Sequence, residues 1–232
     1  MEEKKMMEKT YSRKDVLKTA GKATAGIAIL STVPSFLTGC KKSAEIPSKE
    51  VLAYEYMEKK EGAVDAPYPY QKLDPATTME RAYAGYFNIG NCCRGAADAI
   101  IGQLGDVAGH PWNQIPVNAF ANGGTGYGVG SLCGALGGAV LAIGLACTPE
   151  DAQKLTGELF KWYTSTDLPI YQPDAKLVLT TSKTVNCLDS VTEFMNESGF
   201  AMGDPERKAR CAGLTGDVAR KTVELLNAHY NL

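Results

Sequence analysis

Seven cysteines, at positions 40, 92, 93, 133, 147, 187 and 211, are the side chains of this 232-residue sequence best suited to chemistry. A thiol can take a lipid, exchange disulfides or, once deprotonated, hold a soft metal. No Cys-x-x-Cys is present, and no cysteine pair is followed by histidine in the arrangement that attaches c-type haem. Two histidines, His110 and His229, are too few for a His-rich metal site and read as surface or capping residues. No Ser/His/Asp or paired-carboxylate constellation stands out, so hydrolysis has no support in the sequence.

Cys40 belongs to a different chemistry from the other six. Seven basic residues lie between Met1 and Lys22, and Ala23 to Leu37 carries no charge. That run is short for a membrane span and suits the apolar core of a signal peptide. Leu37-Thr38-Gly39-Cys40 then resembles the cleavage and lipidation box of bacterial lipoproteins, with small side chains beside the cut and Cys40 as the lipid acceptor. Ser12-Arg13-Lys14-Asp15-Val16-Leu17-Lys18 resembles the twin-arginine export motif, with Lys14 in place of the second arginine and Val16 in place of phenylalanine. Residues 1–39 are therefore expected to be an export signal. The mature chain is expected to be exported, periplasmic or on the cell surface, and held to the membrane through Cys40. Removing seven basic and four acidic residues with the signal leaves 17 basic against 22 acidic, which gives no electrostatic footprint for nucleic acid.

Six cysteines remain, an even number, and in an export compartment structural disulfides are the default expectation. Their placement depends on the elements that carry them. Residues 40–74 are polar and aperiodic, and read as a tether and irregular arm. Residues 75–232 read as one all-α domain of about five helices. Asp74-Pro75 is a helix start, and that helix, broken near Gly90, should reach Leu104 with Cys93, Ala97, Ile100, Ile101 and Leu104 on one face. Residues 105–127 are rich in Gly, Pro and Asn and form a long loop around His110-Pro111-Trp112. Gly128 to Cys147 is uncharged and small-residue-rich; a buried central helix is favoured over a membrane span, since its apolar stretch is short and diluted by glycine. Further helices are expected from Thr148-Pro149, from Ser182 or Thr184 to about Gly199, and from Asp204-Pro205 to about His229, with a short strand as an option at 176–181.

Helical geometry then sorts the thiols. Cys187 shares a face with Val191, Phe194 and Met195, and Cys211 with Leu214, Val218 and Leu225. Thiols pointing inward from separate helices can converge on one site. Cys133 and Cys147 lie about 21 Å apart on one helix, so Cys147 is set aside as a packing residue. Cys92 and Cys93 point about 100° apart, and periodicity favours Cys93 as the one that enters the site.

The segment Gly124-x-Gly126-x-Gly128-x-Gly130-Ser131-Leu132-Cys133-Gly134-Ala135-Leu136-Gly137-Gly138, continued to Gly144-Leu145, resembles the central motif of the redox-active proteins named for the signature C–GCAxxG–C–C. The outlying cysteines of that signature fall at Asn91-Cys92-Cys93, Asn186-Cys187 and Arg210-Cys211, in the right order over residues 80–230. Leu132 stands where the signature has glycine, and the doubled Cys92-Cys93 leaves the first position ambiguous. The same domain forms the bulk of split-Soret cytochromes c, which are helical, dimeric electron-transfer proteins.

The resemblance implies an iron–sulfur cluster, 2Fe–2S being one form, bound by Cys93 (or Cys92), Cys133, Cys187 and Cys211 in an exported electron-transfer protein rather than an enzyme with its own substrate. It also implies a homodimer, with the Gly-rich helix as a candidate interface, and a redox partner the sequence does not identify. Haem c is not expected, because its Cys-x-x-Cys-His is missing. Backbone N–H groups around Gly126, Gly128 and Gly130, leading into the Cys133 helix, are expected to favour an anionic group. The alternating glycines do not form a nucleotide-binding fingerprint. Two alternatives stay open. One is thiol–disulfide chemistry, with Cys133 activated by the helix N-terminus; the other is a non-redox, disulfide-stabilised lipoprotein scaffold.

Overall fold

The computed structural model describes Gly62 and residues 64–232. The signal region 1–39, the twin-arginine-like motif, Cys40 and most of the tether lie outside the described residues. The rest is helical: α1 (Pro75–Gly85), α2 (Cys92–Ala97), α3 (Gln103–Ala108), α4 (Gly134–Ala146), α5 (Pro149–Ser165), α6 (Cys187–Ser198) and α7 (Pro205–His229). Among the described residues there is no strand. Two isolated antiparallel bridges, Leu132 with Asn186 and Leu168 with Thr180, take the place of the optional strand at 176–181. No helix among the described residues is long and apolar enough to cross a membrane.

The helix starts follow their capping chemistry. Asp74 accepts a hydrogen bond from Thr77 N at 2.7 Å ahead of Pro75, and Thr148 caps α5 ahead of Pro149. Gly199, left-handed at φ 77°, closes α6. The first helix breaks where expected: Gly90 and Asn91 have φ of 87° and 60°. Asn91 then caps α2, its Oδ1 accepting from Cys93 N (3.0 Å) and Arg94 N (3.1 Å). A wide helical turn, Asp98–Gly102, joins α2 to α3.

Helix α1 packs along α7, and α2 along α4. The second pairing needs glycine. A Cβ on Gly138 would collide with the carbonyl oxygen of Cys93 and sit 2.9 Å from Ala97 N. The side of α4 that carries Gly134 and Gly138 is thus filled by α2 and the loop before it, while Leu141 and Gly144 on another side stay exposed. One correction concerns where the central helix begins. It starts at Gly134, not Gly128, because residues 125–128 and Gly130 are left-handed. That leaves the segment 131–133 extended before the helix.

The described part of the arm lies over the helices. Tyr68 N donates to Leu145 O at 2.7 Å, Trp112 Nε1 to Pro69 O at 2.8 Å, and Asn227 Nδ2 to Leu73 O at 2.9 Å. Trp112 is buried edge-on against Tyr68, 5.2 Å between ring centres. The expected loop 105–127 begins instead with the last residues of α3 and then folds into 3-10 turns at Trp112–Gln114 and Val117–Gly123, the first of which holds the arm through Trp112.

One buried carboxylate ties the connector after α5 to α7. Asp217 accepts from Ile170 N (2.6 Å) and Tyr171 N (3.1 Å). Burial outweighs these bonds and pushes the Asp217 carboxyl up to about 6. Because the folded value exceeds the ordinary one, ionisation opposes folding. The contribution is fully present below about pH 4 and is lost as pH rises through about 6, about 3 kcal/mol at most. Denaturant titrations from pH 4 to 7 should show this slope in the wild type and its disappearance in Asp217→Asn. An unchanged slope in the variant would assign the pH dependence elsewhere.

Candidate metal centre

Four cysteines meet where α2, α4, α6 and α7 converge. Cys92 is the first residue of α2, Cys133 the N-cap of α4, Cys187 the first residue of α6, and Cys211 lies in the second turn of α7. A two-segment clip sets the central pair. Cys133 N donates to Val185 O (2.8 Å), Cys187 N donates to Ser131 O (2.6 Å), and the bridge between Leu132 and Asn186 lies between these bonds. Gly130 makes the clip possible: it has φ 72°, and a Cβ there would stand 2.7 Å from Leu188 Cβ.

Cys92, Cys133, Cys187 and Cys211 line one small cavity of about 20 Å³ together with Ser190, Val191, Arg210 and Leu214. Above it opens a cleft of about 430 Å³, and Cys92, Cys187 and Cys211 also border this cleft beside Tyr86, Arg207 and Met202. Cys133 is buried at the base, and the other three thiols are half-buried. All six described cysteines are free thiols. As placed, no three His, Cys, Asp or Glu side chains among the described residues stand close enough to grip one metal ion. The thiols surround a space instead of a point.

The structure turns Cys92, not Cys93, into this space. The expected apolar run of Cys93, Ala97, Ile100, Ile101 and Leu104 is buried, and its two α2 members, Cys93 and Ala97, lie against α4. The cavity lies about a quarter-turn round, where Cys92 points. The Cys93 sulfur instead packs against Gly123 and lies 3.7 Å from the position of a Gly137 Cβ. Cys147 ends α4 at the far side of the helix, next to Tyr230. The loop glycines divide as well: Gly128 and Gly130 border the cleft, whereas Gly126 is buried beneath Ser131. Contrary to expectation, the N–H groups of Gly128 and Gly130 are not free. Gly128 N donates to Gly124 O and Gly130 N to Thr125 O.

Burial and charge pull in opposite directions at these thiols. Cys133 lies at a helix N-terminus where the N–H groups of Ala135 and Leu136 and the Tyr163 hydroxyl favour its charged form. Burial wins and pushes the thiol up, which corrects the expectation of an activated thiolate. Burial likewise raises Cys92 well above its ordinary value and pushes Cys187 up to about 12. Yet the walls carry positive charge and no carboxylate. Arg207 Nη1 lies 3.8 Å and Arg210 Nη1 4.0 Å from Cys211 Sγ. The donor type and its positive surroundings suit a thiolate-bound metal, while as placed no three of the thiols close on a single ion. The two arginines went unnoticed in the sequence. The available signal was a basic residue at i−4 from the inward-facing Leu214, beside a cysteine on the same helix.

A family model described as "Putative redox-active protein (C_GCAxxG_C_C)" matches residues 91–225. In sequence the chain is 36% identical over 165 residues to split-Soret cytochrome c of Desulfovibrio desulfuricans, covering 67% of this chain and 59% of that protein. The chain thus spans less than two thirds of the relative's length. A solved structure, described as a novel iron centre in the split-Soret cytochrome c from Desulfovibrio desulfuricans, shares the fold with a TM-score of 0.69 and 32% identity, over 71% of this chain and 72% of that one. These findings correct the cofactor expectation. An iron–sulfur cluster with haem c excluded was expected; the relative is by name a cytochrome, a haem protein, and its structure is described by an iron centre. A missing Cys-x-x-Cys-His removes one mode of covalent attachment and does not exclude haem.

Proposed function

Since the chain belongs to the C_GCAxxG_C_C family of redox-active proteins, we propose that it is an electron-transfer protein whose iron centre is held by Cys92, Cys133, Cys187 and Cys211. The observation that carries this reading is the convergence of these four thiols on one cavity. An iron centre bound there by these thiols would supply a reversible one-electron change. The protein's own part is to gather four thiols from four helices, to surround them with the Arg207 and Arg210 charges, and to leave one side open. Three of the four thiols border the open cleft, so a redox partner can approach within a side chain's length of the site.

The raised thiol values speak against the thiol–disulfide alternative, since nucleophilic attack requires a thiolate. The deciding experiment is anaerobic purification of residues 41–232 with iron quantified per folded protein and a redox titration alongside. Stoichiometric, redox-active iron is the expected result. A folded protein that stays iron-free after incubation with ferrous iron and a thiol reductant would refute the reading.

Export and membrane anchoring through Cys40 form part of the same proposal and rest on the lipoprotein-like box that ends at this cysteine. Fractionation of cells expressing the full chain should find it with membranes. Cys40→Ser should leave it unprocessed or release it from the membrane fraction, whereas unchanged processing and anchoring in this variant would rule out lipidation. A homodimer, implied by the family resemblance, belongs to the proposal too, and sedimentation of a purely monomeric iron-loaded protein would remove it.

A further inference from the structure

Arg210 is buried to 1% exposure on the wall of the small cavity. Its Nη2 donates to Ser190 Oγ at 2.7 Å, and its guanidinium lies 5.7 Å from the centre of the Phe194 ring. Its Nε has no hydrogen-bond partner. The ion pairs among the described residues involve Arg81, Lys183, Arg220, Lys221 and His229, and none includes Arg210. The guanidinium is nonetheless firmly held, because Ser190 is itself fixed by the Tyr163 hydroxyl (3.1 Å) and by Ser182 Oγ (2.7 Å). A permanently charged group in such a place is costly unless a negative charge joins it. Among the described residues, the groups positioned to become negative beside it are the cavity thiols, Cys211 first and Cys187 next, and the Tyr163 hydroxyl, which burial keeps well above its ordinary value.

We propose that Arg210 is the built-in counter-cation of the thiolate-bound metal centre. It has no carboxylate partner of its own, is compensated by the thiolates that hold the metal, and raises the reduction potential of the centre. The proposal rests on the reading that the four thiols hold iron. Binding releases one proton per thiol that coordinates. Reduction adds one electron from an external mediator, with no bond made or broken. The added negative charge is stabilised by the fixed positive charge, so the reduced state gains more from Arg210 than the oxidised state does. Arg210 acts through the thiols and is a positioning residue.

The test compares Arg210→Met, which keeps the bulk without the charge, with Arg210→Lys, which keeps the charge. Three results are expected for Arg210→Met: metal-free thermal stability equal to or above wild type, iron lost to a chelator at least tenfold more readily, and a lower potential. The fall in potential should correspond to at least a tenfold shift in the oxidised-to-reduced ratio, about 59 mV for one electron. Arg210→Lys should keep most of the wild-type potential. Unchanged iron retention and potential in Arg210→Met would overturn the proposal. So would failure of metal-free Arg210→Met to fold, because the guanidinium would then be a structural bond and not a waiting charge. Wild type that retains iron while Arg210→Met behaves identically defeats this proposal alone. Wild type that retains neither iron nor zinc, used as a second thiolate-seeking probe, defeats both. If zinc alone is retained, the iron reading falls, and the tenfold weakening of zinc retention in Arg210→Met decides the role of Arg210.

Discussion

Replacing Cys133 with serine should abolish iron retention while leaving the helices in place. Cys133 sits at the junction of the clip and α4, with its N–H bound to Val185 O at 2.8 Å and its carbonyl accepting from Gly137 N at 2.9 Å. Those bonds are made by the backbone, so serine keeps them. Serine also fits the N-cap position. What is lost is the deepest of the four sulfurs, and a hydroxyl does not replace a thiolate for a soft metal. The expected outcome is a roughly 50- to 100-fold fall in iron retention against a chelator, beside a stability change of about 1 kcal/mol. The size of that fall follows from an apparent binding energy of order 10 kcal/mol for structural metal sites, shared among four ligands. Circular dichroism and iron analysis on the same sample check both halves. Wild-type iron content in folded Cys133→Ser would exclude this residue as a ligand.

Gly138→Ala should destabilise the protein strongly, although alanine is the better helix former. The new Cβ would meet the Cys93 carbonyl oxygen and lie 2.9 Å from Ala97 N and 3.2 Å from Ala96 Cβ. Two of these three neighbours are backbone atoms of α2 and have no rotamer in which to escape. Overpacking of this kind costs about 1–3 kcal/mol, and the upper end applies because two helices must separate. Gly144, in the same helix, has no neighbour within 4 Å of the point where a methyl would stand, so Gly144→Ala should gain up to about 1 kcal/mol from propensity alone. Urea denaturation of the pair checks the contrast. Equal effects at the two positions would mean that close packing of α2 on α4 is not what Gly138 provides. Because α4 carries Cys133 and α2 carries Cys92, Gly138→Ala should also weaken iron retention.

The helical class is legible in the sequence because capping residues and apolar periods agree: Asp74, Thr148 and Gly199 mark boundaries that the structure keeps. The buried face of Cys93, Ala97, Ile100, Ile101 and Leu104 is legible for the same reason. The choice between Cys92 and Cys93 is not. Periodicity reports which residues are buried, not which neighbour buries them, and α2 is buried on one side by α4 and on another by the cavity wall. The start of α4 is hidden because a run of small uncharged residues suits a helix, while the left-handed turn at Gly126–Gly130 depends on contacts with Ser131 and Leu188 that no local pattern reports. Arg210 is invisible because a basic residue reads as surface until the absence of a carboxylate partner is seen in space.

The measurement that tests the central claim most directly is iron per folded protein in Cys92→Ser and Cys93→Ser, prepared side by side under anaerobic conditions. The two residues are adjacent, identical in type and altered by the same single atom, so they differ chiefly in where the structure points them. Loss of iron in Cys92→Ser with retention in Cys93→Ser is the predicted result. Retention in Cys92→Ser with loss in Cys93→Ser would contradict the site, and would place the first ligand on the face that α2 turns to α4.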